Sequence, residues 1–230
     1  MKFDKKHPVF LQYFSFLAYF SCSEPNTRHS VGVAAPVNGD PFGPYTDALG
    51  VPMIYHNDDS VLGCIDQHYF KDPQTGKDFI TWKTDKLVPF STSVVFIQEI
   101  EESGMYFKEG SEKVKILEVE TAEEMFTNEG MWLMFREGTY FLFYSTSLFE
   151  LPTYRMMVAG SKDILGPYTK HEVPVVETDW ERYNNGLNST FEGPGHGSVV
   201  VDTAGDWWLI YHSWRWVTMF CVTCNGRMQT

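Results

Sequence analysis

The chain has 230 residues, 43% of them hydrophobic and 16% aromatic, and a formal charge of −12 at pH 7. This length and apolar content suffice for a substantial core and exclude a disordered chain. The acidic balance, without any Lys/Arg block, excludes attraction to nucleic acid or to an anionic membrane surface, and no run approaches the roughly 18 apolar residues of a membrane span.

The first element is the apolar run "YFSFLAYF" (residues 13–20). Lysines precede it, so it has the outline of a signal peptide. It is read instead as a strand, because its aromatic-aliphatic-x-aromatic core, Phe16 to Tyr19, recurs along the chain. "GKDFITWK" (76–83), "GTYFLFYS" (138–145) and "GDWWLIYH" (205–212) all follow Gly-x-x-aromatic-aliphatic-x-aromatic-x. The leading aromatics Phe16, Phe79, Phe141 and Trp208 are spaced by 63, 62 and 67 residues. After the first and third copies comes a Val-Ala strand and then a Gly-Pro-Tyr-Thr turn, Gly43 to Thr46 and Gly166 to Thr169. Glu118 to Phe126 is the one segment with a short helical pattern, and "VTMFCVTCNGRMQT" (217–230) has no pattern comparable to the other strands.

Several short strands per unit, little helix and a long fixed period predict an all-β chain and a β-propeller, with small sheets arranged around a channel. A β-sandwich is the alternative, but it gives no reason for the period. Cys22, Cys64, Cys221 and Cys224 are too few and too scattered for a disulfide framework, and one C-x-x-C pair is given no function. Asn188-Ser189-Thr190 fits a glycosylation acceptor, which has meaning only in a secreted protein; an extracellular location is the preferred expectation, although the sequence does not fix the compartment.

Ionisable residues recur ahead of the repeated strand. Asp66 lies 13 residues before Phe79, while Glu129, His196 and Asp4 each lie 12 before their aromatic. If the first strand of each blade lines the channel, these groups converge near the axis, as general acid/base chemistry requires. A polar residue that merely caps a turn is the competing reading for any one of them.

These residues also carry a family likeness. "CIDQHYF", "NEGMWLMF" and "EGPGHGSVV" resemble motifs of glycoside hydrolase family 43, five-bladed β-propellers that cleave α-L-arabinofuranosides and β-D-xylosides with inversion. Gln67 and Met131 stand where the family has Pro, and the likeness runs from about residue 10 to about residue 214. The resemblance implies one propeller domain over residues 1–230, incomplete at both ends, with about four blades of the five represented. It implies that Glu129 is the general acid and Asp66 the carboxylate that orients it and raises its pKa. His196 and Trp132 are expected at the channel or the substrate. No cofactor is required, and His196 is also the residue beside which a calcium ion is expected if one binds.

An inverting enzyme needs a second carboxylate ~6.5–9.5 Å from the acid to activate water. The family carries that base on the blade before the one that begins here at Met1, so the base is expected to be missing from this chain; Asp4 is not at the family's position for it. Two readings follow, a glycosidase acting on arabinose- or xylose-containing glycans and a catalytically inactive carbohydrate-binding or vestigial propeller. A protein-interaction propeller is a third class, disfavoured by the shared register of ionisable groups.

Overall fold

The computed structural model of the chain describes residues 16–23, 28–56, 59–86, 91–185, 191–215 and 218–223. Asp4, Tyr13, Asn188 to Thr190 and Cys224 lie outside them.

Four antiparallel sheets follow one another along the sequence, each a simple meander. The first holds β1 (Ala18–Cys22), β2 (Ser30–Pro36) and β3 (Tyr45–Asp47). The second holds β4 (Val61–Lys71), β5 (Asp78–Lys86), β6 (Val94–Ile100) and β7 (Val114–Glu118). The third holds β8 (Asn128–Arg136), β9 (Thr139–Thr146), β10 (Arg155–Ser161) and β11 (Thr169–Lys170). The fourth holds β12 (Glu192–Val201), β13 (Trp207–Arg215) and β14 (Thr218–Thr223). These are four blades of an all-β propeller of the five-bladed type. The recurring aromatic motif is β5, β9 and β13, the second strand of each of the last three sheets, while the copy at Phe16 to Tyr19 runs into β1, the first described strand of the first sheet.

The core lies between neighbouring sheets, which explains why these strands read as nearly unbroken apolar runs. On β9, Tyr140, Leu142 and Tyr144 pack toward the second sheet with Phe79, Val95 and Ile97. The alternate residue, Phe143, packs toward the fourth with Val199, Leu209 and Tyr211. On β5, Phe79 faces the third sheet while Ile80 and Trp82 face the first, beside Val31 and Ile54. Successive side chains of a strand point to opposite faces, so a sheet enclosed on both sides needs apolar residues at every position.

Two expectations change. The tail beyond Arg215 is not patternless, because β14 pairs antiparallel with β13 from Thr218 opposite Arg215 to Thr223 opposite Ile210. Backbone pairing with an existing edge makes it a strand where residue pattern alone does not. The helical turn expected within 118–126 is the 3-10 turn Ala122–Glu124, and a second, α1 (Trp180–Asn184), adds to it. The Asp179 carboxylate starts α1 by accepting the Arg182 N–H at 3.1 Å.

Candidate active site

β4, β8 and β12 each carry a bulge at the same place. Pairing slips between Ile65 and His68, between Glu129 and Trp132, and between Gly195 and Ser198. The first extra residue of each bulge has left-handed backbone: Asp66 at φ 58°, Gly130 at 60° and His196 at 49°. Side-chain-bearing residues hold this conformation at a cost of about 1–3 kcal/mol, and it recurs where a site requires it. Here the bulge turns Asp66 and His196 into the space between the sheets. Gly130 leaves that space open, since a Cβ on it would approach His196 Cγ to 3.0 Å.

This pairing corrects the register read from sequence. Asp66, Gly130 and His196 are the equivalent residues, whereas Glu129 sits one position earlier, level with Ile65 and Gly195. The count along the sequence missed this because the hairpins differ in length. Phe70 pairs with Phe79, Met134 with Phe141 and Val200 with Trp208, so the chain between the bulge and the leading aromatic is longest in the second sheet and shortest in the third.

The three bulges line one cleft of about 190 Å³, walled by Asp66, His68, Gly130, Trp132, His196 and Ser198 among others. Trp132 lies against His68, ring centroids 4.3 Å apart. His68 Nε2 is enclosed without a hydrogen-bond partner. Burial lowers the His68 pKa to about 4, although its hydrogen bond to the Leu133 backbone works the other way, so the ring is neutral at pH 7. The two residues that stand in place of Pro are accommodated separately. Gln67 accepts the Ser21 hydroxyl at 2.9 Å, linking first and second sheets, and Met131 is buried in the core between second and third.

Glu129 is fixed at the start of β8. The buried Glu124 carboxylate holds the preceding turn through the Glu120 and Thr121 N–H groups and Lys170. The Asn128 N–H donates to Ser93 Oγ at 2.6 Å, and its side-chain amide donates to the Glu118 carbonyl at 2.9 Å. The Glu129 side chain is 12% exposed. Tyr154 O–H donates to its Oε1 and Lys83 Nζ to its Oε2, each at 2.7 Å. Gly195 makes room for Tyr154, because a Cβ there would stand 2.1 Å from the Tyr154 ring.

Asp66 reaches the same centre from β4. Its Oδ2 accepts the Gly130 N–H at 3.0 Å and lies 3.9 Å from Lys83 Nζ. Lys83 is 1% exposed and also lies 3.9 Å from Asp85, which in turn binds His29 Nδ1 at 2.8 Å. Glu129, Asp66 and His196 therefore meet at one centre. Sequence reasoning missed Lys83, Tyr154, Asp85 and His29.

The electrostatics reverse one expectation. Burial raises the Glu129 pKa, but the Lys83 charge and hydrogen bond, the Tyr154 hydroxyl and the His196 charge outweigh it and hold the carboxyl below the usual carboxylate range. The same pairing raises the Lys83 pKa against its own burial. The net direction is therefore downward rather than the expected upward shift, with the Lys83 charge the largest cause opposing burial.

His196 N–H donates to Ser145 Oγ at 2.7 Å; its ring stacks on His212 at 6.1 Å, and its Nε2 lies 4.0 Å from Asp66. Calcium takes six to eight oxygen ligands. Beside His196 the described residues offer Asp66 as one such ligand, and among them no group of three or more His, Cys, Asp or Glu could by itself hold a metal ion. Among the described residues no helix is long and apolar enough to cross a membrane.

The chain is 24% identical over 224 residues to a β-D-galactofuranosidase of Aspergillus niger, covering 94% of this chain and 56% of that protein. Its fold is similar to that of a thermostable family-43 glycoside hydrolase, with a TM-score of 0.72, 22% identity and coverage of 88% of this chain and 64% of the other. It is also similar to an α-L-arabinofuranosidase from Lactobacillus brevis, with a TM-score of 0.71, 22% identity and coverage of 94% and 66%. The chain thus spans little more than half of the curated relative and under two thirds of these two solved chains. The model of "Glycosyl hydrolases family 43" matches residues 11–225, a span that includes all four sheets, both carboxylates and His196, and on it the chain belongs to glycosyl hydrolase family 43.

Proposed function

We infer that this chain supplies the acid half of an inverting glycoside hydrolase acting on arabinose- or xylose-containing glycans, with Glu129 as the general acid. One observation carries the reading: a buried carboxylate, held at both oxygens, stands beside Asp66 where three sheets of a family-43 propeller meet. Glu129 would protonate the departing glycosidic oxygen, and Asp66 would orient it through the Gly130 N–H at the base of the acid's own bulge. Trp132 and His196 would contact the sugar or line the channel that receives it. Such hydrolysis requires carboxylates and water and no cofactor. The carboxylate that activates water has no counterpart among Asp66, Asp85 and Glu129, which all crowd one lysine. A further carboxylate is needed to activate water and complete the inverting mechanism, and residues 1–230 are taken as one propeller domain.

The name of the Aspergillus relative adds galactofuranose to the candidate sugars, and furanosides are the ring form it shares with arabinofuranosides. The test is turnover of aryl arabinofuranosides, xylosides and galactofuranosides by the wild type and Glu129→Gln. Loss of a general acid should lower turnover by about 10²–10⁴-fold. Equal turnover in both proteins overturns the assignment, and sugar binding by calorimetry without product identifies an inactive carbohydrate-binding propeller.

A further inference from the structure

We propose that Lys83 is the positioning residue of Glu129: its ammonium clamps one carboxylate oxygen while Tyr154 clamps the other, and Asp85 with His29 holds the lysine from behind. The inference rests on the reading of Glu129 as the acid but extends to a residue that reading does not require.

The placement follows from the repeat. Lys83 is the last residue of the motif on β5, and the pairing makes Ser145 on β9 and His212 on β13 its equivalents, opposite Ile65, Glu129 and Gly195 respectively. All three side chains turn to the same centre. Ser145 accepts the His196 N–H, and His212 stacks between His196 and Tyr154. Of these three equivalent positions, the one on the second sheet carries the lysine.

A buried ammonium is expelled or deprotonated unless anions surround it. Around Lys83 they are Glu129 at 2.7 Å and Asp66 and Asp85 at 3.9 Å. Only the contact to Glu129 is of hydrogen-bond length, so Lys83 has three anionic neighbours and a single bonded one. Asp85 is anchored by His29 at the start of the first sheet's β2 side, which ties the clamp to the junction of two blades.

Other charged and titratable groups bear on Glu129 from each neighbouring element. Asp66 approaches from β4 and Lys86 lies farther along β5. His196 on β12 and His212 on β13 face it across the cleft, and Tyr154 meets it from the segment before β10. Lys83 is the only cation among them in hydrogen-bond contact with the acid. The functional consequence is a direction: Glu129 carries its proton only at low pH, so the alkaline limb of activity lies low, and removing the Lys83 charge moves that limb upward.

The experiment is a carboxyl titration by carbon-13 NMR of the full chain labelled at glutamate, with the Glu129 signal assigned by its loss in Glu129→Gln. The wild-type midpoint should lie below that of an ordinary glutamate. Lys83→Met should raise it by about 1–3 pH units, the effect of one close opposite charge, and Lys83→Arg should restore most of the depression. A wild-type midpoint at or above the ordinary value overturns the clamp without any variant, which covers the case of a Lys83→Met chain that does not fold. A midpoint unmoved in a folded Lys83→Met protein also overturns it. If the titrations behave as stated while Glu129→Gln turns over substrate like the wild type, the clamp stands and the acid assignment falls. If Glu129→Gln loses turnover but Lys83→Met leaves the midpoint unmoved, the reverse holds.

Discussion

Glu129 owes its position to residues that are themselves immobile. Tyr154 is fully buried, and its ring fits only because position 195 has no Cβ. Gly195→Ala would drive a methyl into that ring and force it to shift, drawing the hydroxyl away from Glu129. Overpacking of this kind costs about 1–3 kcal/mol, and a misplaced reacting group lowers turnover by about 10²-fold. Tyr154→Phe separates the two effects, since it removes the hydrogen bond to the carboxylate without crowding and should cost about 1.5–3 kcal/mol. Thermal unfolding and turnover measured on both variants check this; full activity in Tyr154→Phe would show that Glu129 does not depend on the hydroxyl. At this scale the sequence was readable for Glu129, Asp66 and His196, because carboxylates and imidazoles stand out against apolar strands. Lys83 was not, because a lysine between Trp82 and Thr84 reads as a solvent-facing position of its strand, and only tertiary packing buries it.

The strands at the centre of each blade do two jobs with alternate residues. On β9, Leu142 is fully buried against the second sheet, while Phe143 beside it serves the interface with the fourth. Leu142→Ala should therefore cost about 2–5 kcal/mol, the range for a leucine cavity that its surroundings cannot fill, and chemical denaturation would show it as a lower midpoint with an unchanged slope. The requirement for apolar residues on both faces is what makes β5, β9 and β13 legible as copies of one motif. Their partners were less legible. Register along β4, β8 and β12 depends on hairpin lengths and on bulges, which are set by backbone geometry rather than by residue type, and so an offset counted from the aromatic misplaced Glu129 by one position. The strand β14 escaped for a related reason: hydrogen bonds to β13 define it, and these are the same for any side chain.

Across the whole molecule, several buried groups titrate in the same sense. In the unfolded chain a histidine takes its proton near pH 6.5, whereas burial delays protonation of His68 in the fold to about pH 4. Between those values the unfolded state binds more protons, so stability falls as pH drops through that window. Asp72 and Glu129 continue the decline at lower pH. Burial raises the carboxyl of Asp72, but the Thr75 and Tyr140 hydroxyls outweigh it, and both carboxylates are held below their ordinary range. Unfolding temperature measured from pH 6.5 down to about 4 should decrease, and His68→Gln should flatten that segment while leaving the carboxylate part below it. A wild-type profile flat over the upper segment would contradict the buried neutral imidazole.

Lys83, Ser145 and His212 have a consequence of another kind. An ammonium, a hydroxyl and an imidazole occupy matching places on three sheets whose backbones already aim them at one point. The scaffold thus offers three interchangeable sockets, each separated from the aromatic core by a single residue step. Descendants of such a chain can change the charge and proton-carrying capacity of the centre one codon at a time, without rebuilding the strands that hold it.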